Sequence, residues 1–164
     1  MTGTQSWVSV VELVVPALAE AYRPTFLVTQ HGCDSHVLDP LAHLRLTTDA
    51  YARATRLLDD TAHRWCEGRW VATGGGGYDA YRVVPRSWAL VWLAQAHAEV
   101  PEAIPDEWRA RWAEEADAHG QSPPPELFLD DLRLRLTEPH GVGERNLRTA
   151  QQALGQALEL LGRR

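Results

Sequence analysis

The sequence predicts an α/β fold built on a mostly parallel sheet. Two short β-prone runs, residues 25–29 and 69–73, are each preceded by a segment of helical period and followed by a loop rich in polar residues or glycine. The two units lie about forty residues apart, which leaves room for the crossover helix that parallel strands require. At 164 residues and 45% hydrophobic, the chain is long enough for one compact domain and suggests no second one.

Trp7, Val10, Val11, Val14, Val15, Leu18 and Tyr22 recur at helical spacing, so a first helix is expected over residues 6–22, started or kinked by Pro16 and closed by Pro24. Residues 25–29 then read as a buried strand. Residues 30–40 follow as a polar loop at its carboxyl end, the edge where sites collect in open α/β sheets. Thr47, Thr48 and Asp49 are N-cap candidates for a helix over residues 49–66, with Tyr51, Ala54, Leu58, Ala62 and Trp65 along one side and Gly68 as its stop.

Residues 69–73 form the second expected strand, and residues 74–78 its exit loop. A helix containing Trp88, Leu90, Val91, Trp92 and Leu93 comes next. Prolines at 101, 105, 123, 124 and 125 punctuate the region beyond, around a short helix near residues 106–118. Leu147, Ala150, Leu154, Leu158 and Leu161 mark a final amphipathic helix. The chain thus divides into an α/β part, residues 6–97, that carries the loops, and a peripheral helical region, residues 98–164.

The net charge of -6 and pI near 5.6 argue against nucleic acid or an anionic membrane as partner, since both call for a basic surface. Two cysteines make no disulfide framework, and no signal-peptide pattern opens the chain, so the cytoplasm is the default compartment. The apolar stretch over residues 7–21 holds Glu12, Pro16 and Glu20 and falls short of a bilayer span.

Chemistry is concentrated in the two exit loops. In the first, Asp34, His36 and Asp39 fit a small metal site and equally fit an Asx-turn loop with solvated side chains. In the second, Gly74, Gly75, Gly76 and Gly77 permit close approach of the main chain to a ligand and Tyr78 offers a phenol. The run matches neither G-x-G-x-x-G nor the P-loop, whose lysine this chain lacks altogether.

Gln30-x-Gly32-x-Asp34-x4-Asp39-Pro40-Leu41, followed by Gly74-Gly75-Gly76-Gly77-Tyr78 with Arg86 and Trp88 downstream, resembles the histone-deacetylase-like (arginase/deacetylase) superfamily. The resemblance is close over roughly residues 6–97 and loose beyond. It implies a partial three-layer α/β/α fold, with only the C-terminal strands of the largely parallel sheet present and an inner strand left as an open edge. It also implies zinc-dependent hydrolysis of an N-acetyl-lysine amide, in an acetylated protein or a small acetylated amine. On this likeness Asp34 is a zinc ligand, Tyr78 polarises the substrate carbonyl, and Gly75, Gly76 and Gly77 line the substrate cleft.

The family's upstream Asp-x-His ligand pair and tandem His-His base have no counterpart in these residues. His43, His63, His97, His119 and His140 are isolated in the sequence and read as surface or helix-face residues. A single zinc ligand does not make a catalytic site, so the chain alone is expected to be inactive. The implied partner is an N-terminal deacetylase half, or a second copy of the chain. Two other readings stand beside this one: a non-catalytic interaction module or degenerate remnant of the same fold, and a small independent metal-binding protein.

Overall fold

The computed structural model describes residues 1–131 and 137–162. Helix α1 is Thr4–Tyr22, strand β1 Leu27–His31, helix α2 Thr48–Cys66, strand β2 Trp70–Gly74, helix α3 Val84–Gln95, helix α4 Asp106–Ala118 and helix α5 Val142–Gly162. The two strands pair in parallel, from Leu27 opposite Trp70 to His31 opposite Gly74, with α2 as the crossover. Among the described residues these are the only named strands, so both outer edges of the sheet are unpaired.

The helix ends show why the chain turns where it does. Glu138, far along the sequence, places one carboxylate oxygen 2.5 Å from both the Gly3 amide and the Ser6 hydroxyl. A negative group there satisfies amides that α1 leaves open and opposes the positive end of its dipole. Pro16 lies inside α1 and does not start it. Arg23, Glu67 and His97 follow α1, α2 and α3 with positive φ of 51, 55 and 51°. The left-handed turn therefore comes one residue before Gly68, the stop expected from the sequence, and Gly68 itself also has positive φ. Thr47 is the N-cap of α2 in extended conformation, but its hydroxyl caps no helical amide; it faces the Thr4 hydroxyl at 3.0 Å.

Each strand runs one or two residues later than expected, and the expected full burial fails. Leu27, Thr29, His31, Trp70 and Ala72 are partly covered, whereas Val28 and Val71 stand exposed on the opposite face. The sheet is covered on one side only, and there in part. α1 packs on α5 and α2, and α2 packs on α3.

The tightest core lies under the loops. Val8, Cys33, Leu46, Ala50, Tyr51, Val83 and Leu90 cluster there with Ile104 and Phe128. No described helix is long and apolar enough to cross a membrane.

Candidate active site

Parallel pairing puts the exits of β1 and β2 at the same edge of the sheet. The Cys33 amide donates to the Gly76 carbonyl at 2.6 Å, joining the two loops directly beyond the strands. The contact is so close that side chains are excluded from the glycine loop. A Cβ on Gly76 would run into the Asp34 carboxylate, standing 2.9 Å from its Cγ, and one on Gly75 would sit 2.7 Å from the Gly32 amide nitrogen. Gly77, at φ 152°, passes over Cys33, where a Cβ would lie 2.5 Å from Sγ. Gly75 and Gly76 therefore border the Asp34 loop, and Gly77 seals the floor beneath it.

Asp34 is half-buried, and among the described residues its carboxylate takes part in no hydrogen bond or ion pair. A carboxylate held at a strand exit without a protein partner retains its capacity to bind a cation. Tyr78 is 51% exposed, so its phenol is open to a ligand, while its backbone is fixed by donation to Asp39 Oδ2 at 2.9 Å. A cavity of about 190 Å³ beside the first loop is lined among others by Trp7, Val11, Gln30, His31 and Tyr51; neither Asp34 nor Tyr78 lines it.

Asp34, His36 and Asp39 do not converge as one metal site. Asp39 is buried, and its second oxygen accepts the Leu41 and Ala42 amides at 2.9 and 3.2 Å. His36 is fully buried: its Nδ1 accepts the Leu38 amide at 3.1 Å and its Nε2 lies 2.7 Å from Asp130 Oδ2. Both ring nitrogens are engaged. An Asx turn thus describes Asp39, with a buried and not a solvated carboxylate, and His36 belongs to the framework.

That framework holds residues the sequence did not single out. Asp130 takes His36 and the Thr48 amide on one oxygen and Arg86 Nη2 at 2.8 Å on the other. Burial disfavours its charge, but the His36 hydrogen bond, the Arg86 charge and the Thr48 amide outweigh that and hold the carboxyl well below the usual range. Asp130 thereby ties the first loop to α2 and α3. An aspartate directly after the apolar run Leu127-Phe128-Leu129 was the available signal. Asp79 is likewise buried and accepts the Arg82 amide at 2.9 Å, with the Arg82 guanidinium on its other oxygen. It fixes the turn between Tyr78 and α3.

Cys33 lies between the loops. Burial, joined by the charges of Asp34 and Asp39, pushes its thiol up to about 11. It is a packing residue there, not a nucleophile.

The fold defines an α/β protein in which a carboxylate loop and a glycine-tyrosine loop meet where two parallel strands end. Comparison with known proteins places that class: the family model for the histone deacetylase domain matches residues 1–95. The acetoin utilization protein AcuC of Bacillus subtilis (strain 168) is 34% identical over 156 residues, covering 93% of this chain and 39% of the relative. AcuC of Staphylococcus xylosus is 29% identical over 156 residues, 93% of this chain and 40% of the relative. The chain belongs to the histone deacetylase superfamily and is AcuC-like within it. It spans about two fifths of the length of these curated relatives.

Proposed function

We propose that this chain is a portion of an AcuC-like zinc-dependent deacetylase, carrying one metal ligand and the carbonyl-polarising tyrosine of a site completed by the rest of the fold. The observation that carries this reading is the Asp34 carboxylate, unpaired among the described residues and pressed against Gly76 where the loops meet. Its hard, anionic oxygen suits zinc, and it supplies one of the three protein ligands a catalytic zinc takes. Bound zinc supplies Lewis acidity toward a carbonyl and lowers the pKa of bound water to about 7. Asp34 holds the ion. The Tyr78 phenol donates a hydrogen bond to the amide oxygen and strengthens it as negative charge develops. Gly75, Gly76 and Gly77 line the substrate cleft on this reading, their lack of side chains letting the two loops close against each other.

Two features favour completion by a second body. Among the described residues both sheet edges are unpaired, and Val28 and Val71 leave one face uncovered. A three-layer α/β/α arrangement would cover that face. The partner in this reading is the complementary portion of a deacetylase or a second copy of the chain, and the substrate an acetylated protein or small acetylated amine.

The test is co-expression with the part of a relative that this chain does not cover, followed by co-purification and a deacetylation assay. Activity is expected in the complex and absent from the chain alone. Within the complex, Tyr78→Phe should lower kcat about 10²-fold with zinc retained, and Asp34→Ala should lower zinc content. A monomer that ignores the complementary portion would point to an interaction module instead.

A further inference from the structure

Asp59, His63 and His97 form a cluster away from the deacetylase loops. Asp59 and His63 lie four residues apart on α2, hence on one face of it. His97 comes from the turn after α3, and its positive φ directs the chain there. The sequence shows these histidines as isolated because packing of α2 on α3 alone joins them; their ring centroids are 5.0 Å apart.

We infer that Asp59, His63 and His97 bind a first-row divalent metal ion of the zinc class and that the ion staples the end of α2 to the exit of α3. One ring nitrogen from each histidine and one carboxylate oxygen all lie within 4.8 Å of one another. Asp59 Oδ1 is 3.4 Å from His63 Nδ1, and Asp59 Oδ2 is 3.4 Å from His97 Nε2. These separations exceed a good N–H···O bond of about 2.7 to 3.2 Å. They match the spacing of about 3.3 to 3.4 Å between ligand atoms held tetrahedrally at about 2.0 to 2.1 Å from zinc.

The His63 Nδ1 also lies 2.9 Å from the Asp59 backbone carbonyl. That contact turns the ring so that Nδ1 faces Asp59, and metal binding through Nδ1 replaces it. Both imidazoles are about half exposed, so an ion can enter from solvent. Two imidazoles with one carboxylate select zinc, nickel, cobalt or copper over magnesium and calcium, which take oxygen ligands. The cluster stands near where α2 leads into β2, whereas Asp34 and Tyr78 lie past the strand ends.

The experiment is calorimetric titration of the chelator-treated 164-residue chain with zinc chloride, beside His97→Gly, His63→Ala and Asp34→Ala. Glycine suits the positive φ at position 97, so His97→Gly removes a ligand without straining the turn. One equivalent of zinc is expected to bind the wild type and Asp34→Ala alike, at least about tenfold more weakly to His97→Gly and His63→Ala. Zinc should raise the thermal midpoint of the first pair and not of the second. Wild-type binding by His97→Gly, loss confined to Asp34→Ala, equal affinity for magnesium, or no binding at all would each overturn the assignment. Because the Asp34 variant is read separately, failure here leaves the deacetylase proposal standing, and failure of that proposal leaves this one.

Discussion

Asp39 Oδ2 accepts the backbone amide of Tyr78 at 2.9 Å, while Oδ1 of the same carboxylate accepts the amides of Leu41 and Ala42. One side chain therefore sets the position of the second loop relative to the first. Asp39→Ala leaves these amides without their acceptor and should cost about 1.5 to 3 kcal/mol, the range for hydrogen bonds to charged groups. Urea denaturation reads it; an unchanged midpoint would mean that water replaces the carboxylate.

Gly75 and Gly76 should respond differently to the same substitution. A methyl group on Gly75 meets the Gly32 backbone, which has no way to swing aside, whereas on Gly76 it meets the movable Asp34 carboxylate. Gly75→Ala is expected to lower the thermal midpoint clearly. Gly76→Ala should fold nearly as well but lose zinc and turnover in the reconstituted complex by tenfold or more, in order-of-magnitude terms about 1.4 kcal/mol upward. Equal stability losses from both would remove the distinction.

Asp130 makes an acid-side prediction. Its folded pKa is held below the unfolded value, so its contribution is present above about pH 3.9 and disappears as pH falls through the lower folded value. Asp130→Ala strands the buried Arg86 charge and should cost about 3 to 5 kcal/mol at neutral pH. Unfolding free energies measured from pH 6 downward should fall more steeply for the wild type than for Asp130→Asn. Parallel curves would show that the ion pair is not what acid breaks.

Cys33 should be inert while the protein is folded. Its thiol is raised from 9.0 to about 11, so folding favours the protonated form; that contribution is complete below pH 9 and is lost as pH rises toward 11. Iodoacetamide at pH 8 should label Cys33 only in denaturant, as also for buried Cys66. Rapid labelling of the native chain, located by mass spectrometry, would contradict the packing described.

Helical period made α1, α2, α3 and α5 legible, and the spacing of β-prone runs gave the parallel pair. Strand burial was not legible, because Val28 and Val71 have the composition of covered residues whether or not a layer covers them. Asp34, Tyr78 and the glycines stood out by their order in the chain. His36 did not reveal its partner, since Asp130 is 94 residues away. For the same reason Asp59 and His97 join only once α2 and α3 pack, and no local pattern signals the meeting.

The parallel pairing of β1 and β2 also bears on the time course of folding. Parallel strands cannot close through a tight turn, so residues such as Asp39 and Tyr78, 39 positions apart, meet only after the intervening α2 has formed and folded back. Helix formation takes about a microsecond or less, while non-local strand closure must first overcome the entropy of the intervening chain. The loops are thus expected to assemble late, after α2. Before that step the edges along which β1 and β2 pair are open as well, and this interval is when a chaperone or a complementary portion made at the same time would act on a nascent chain.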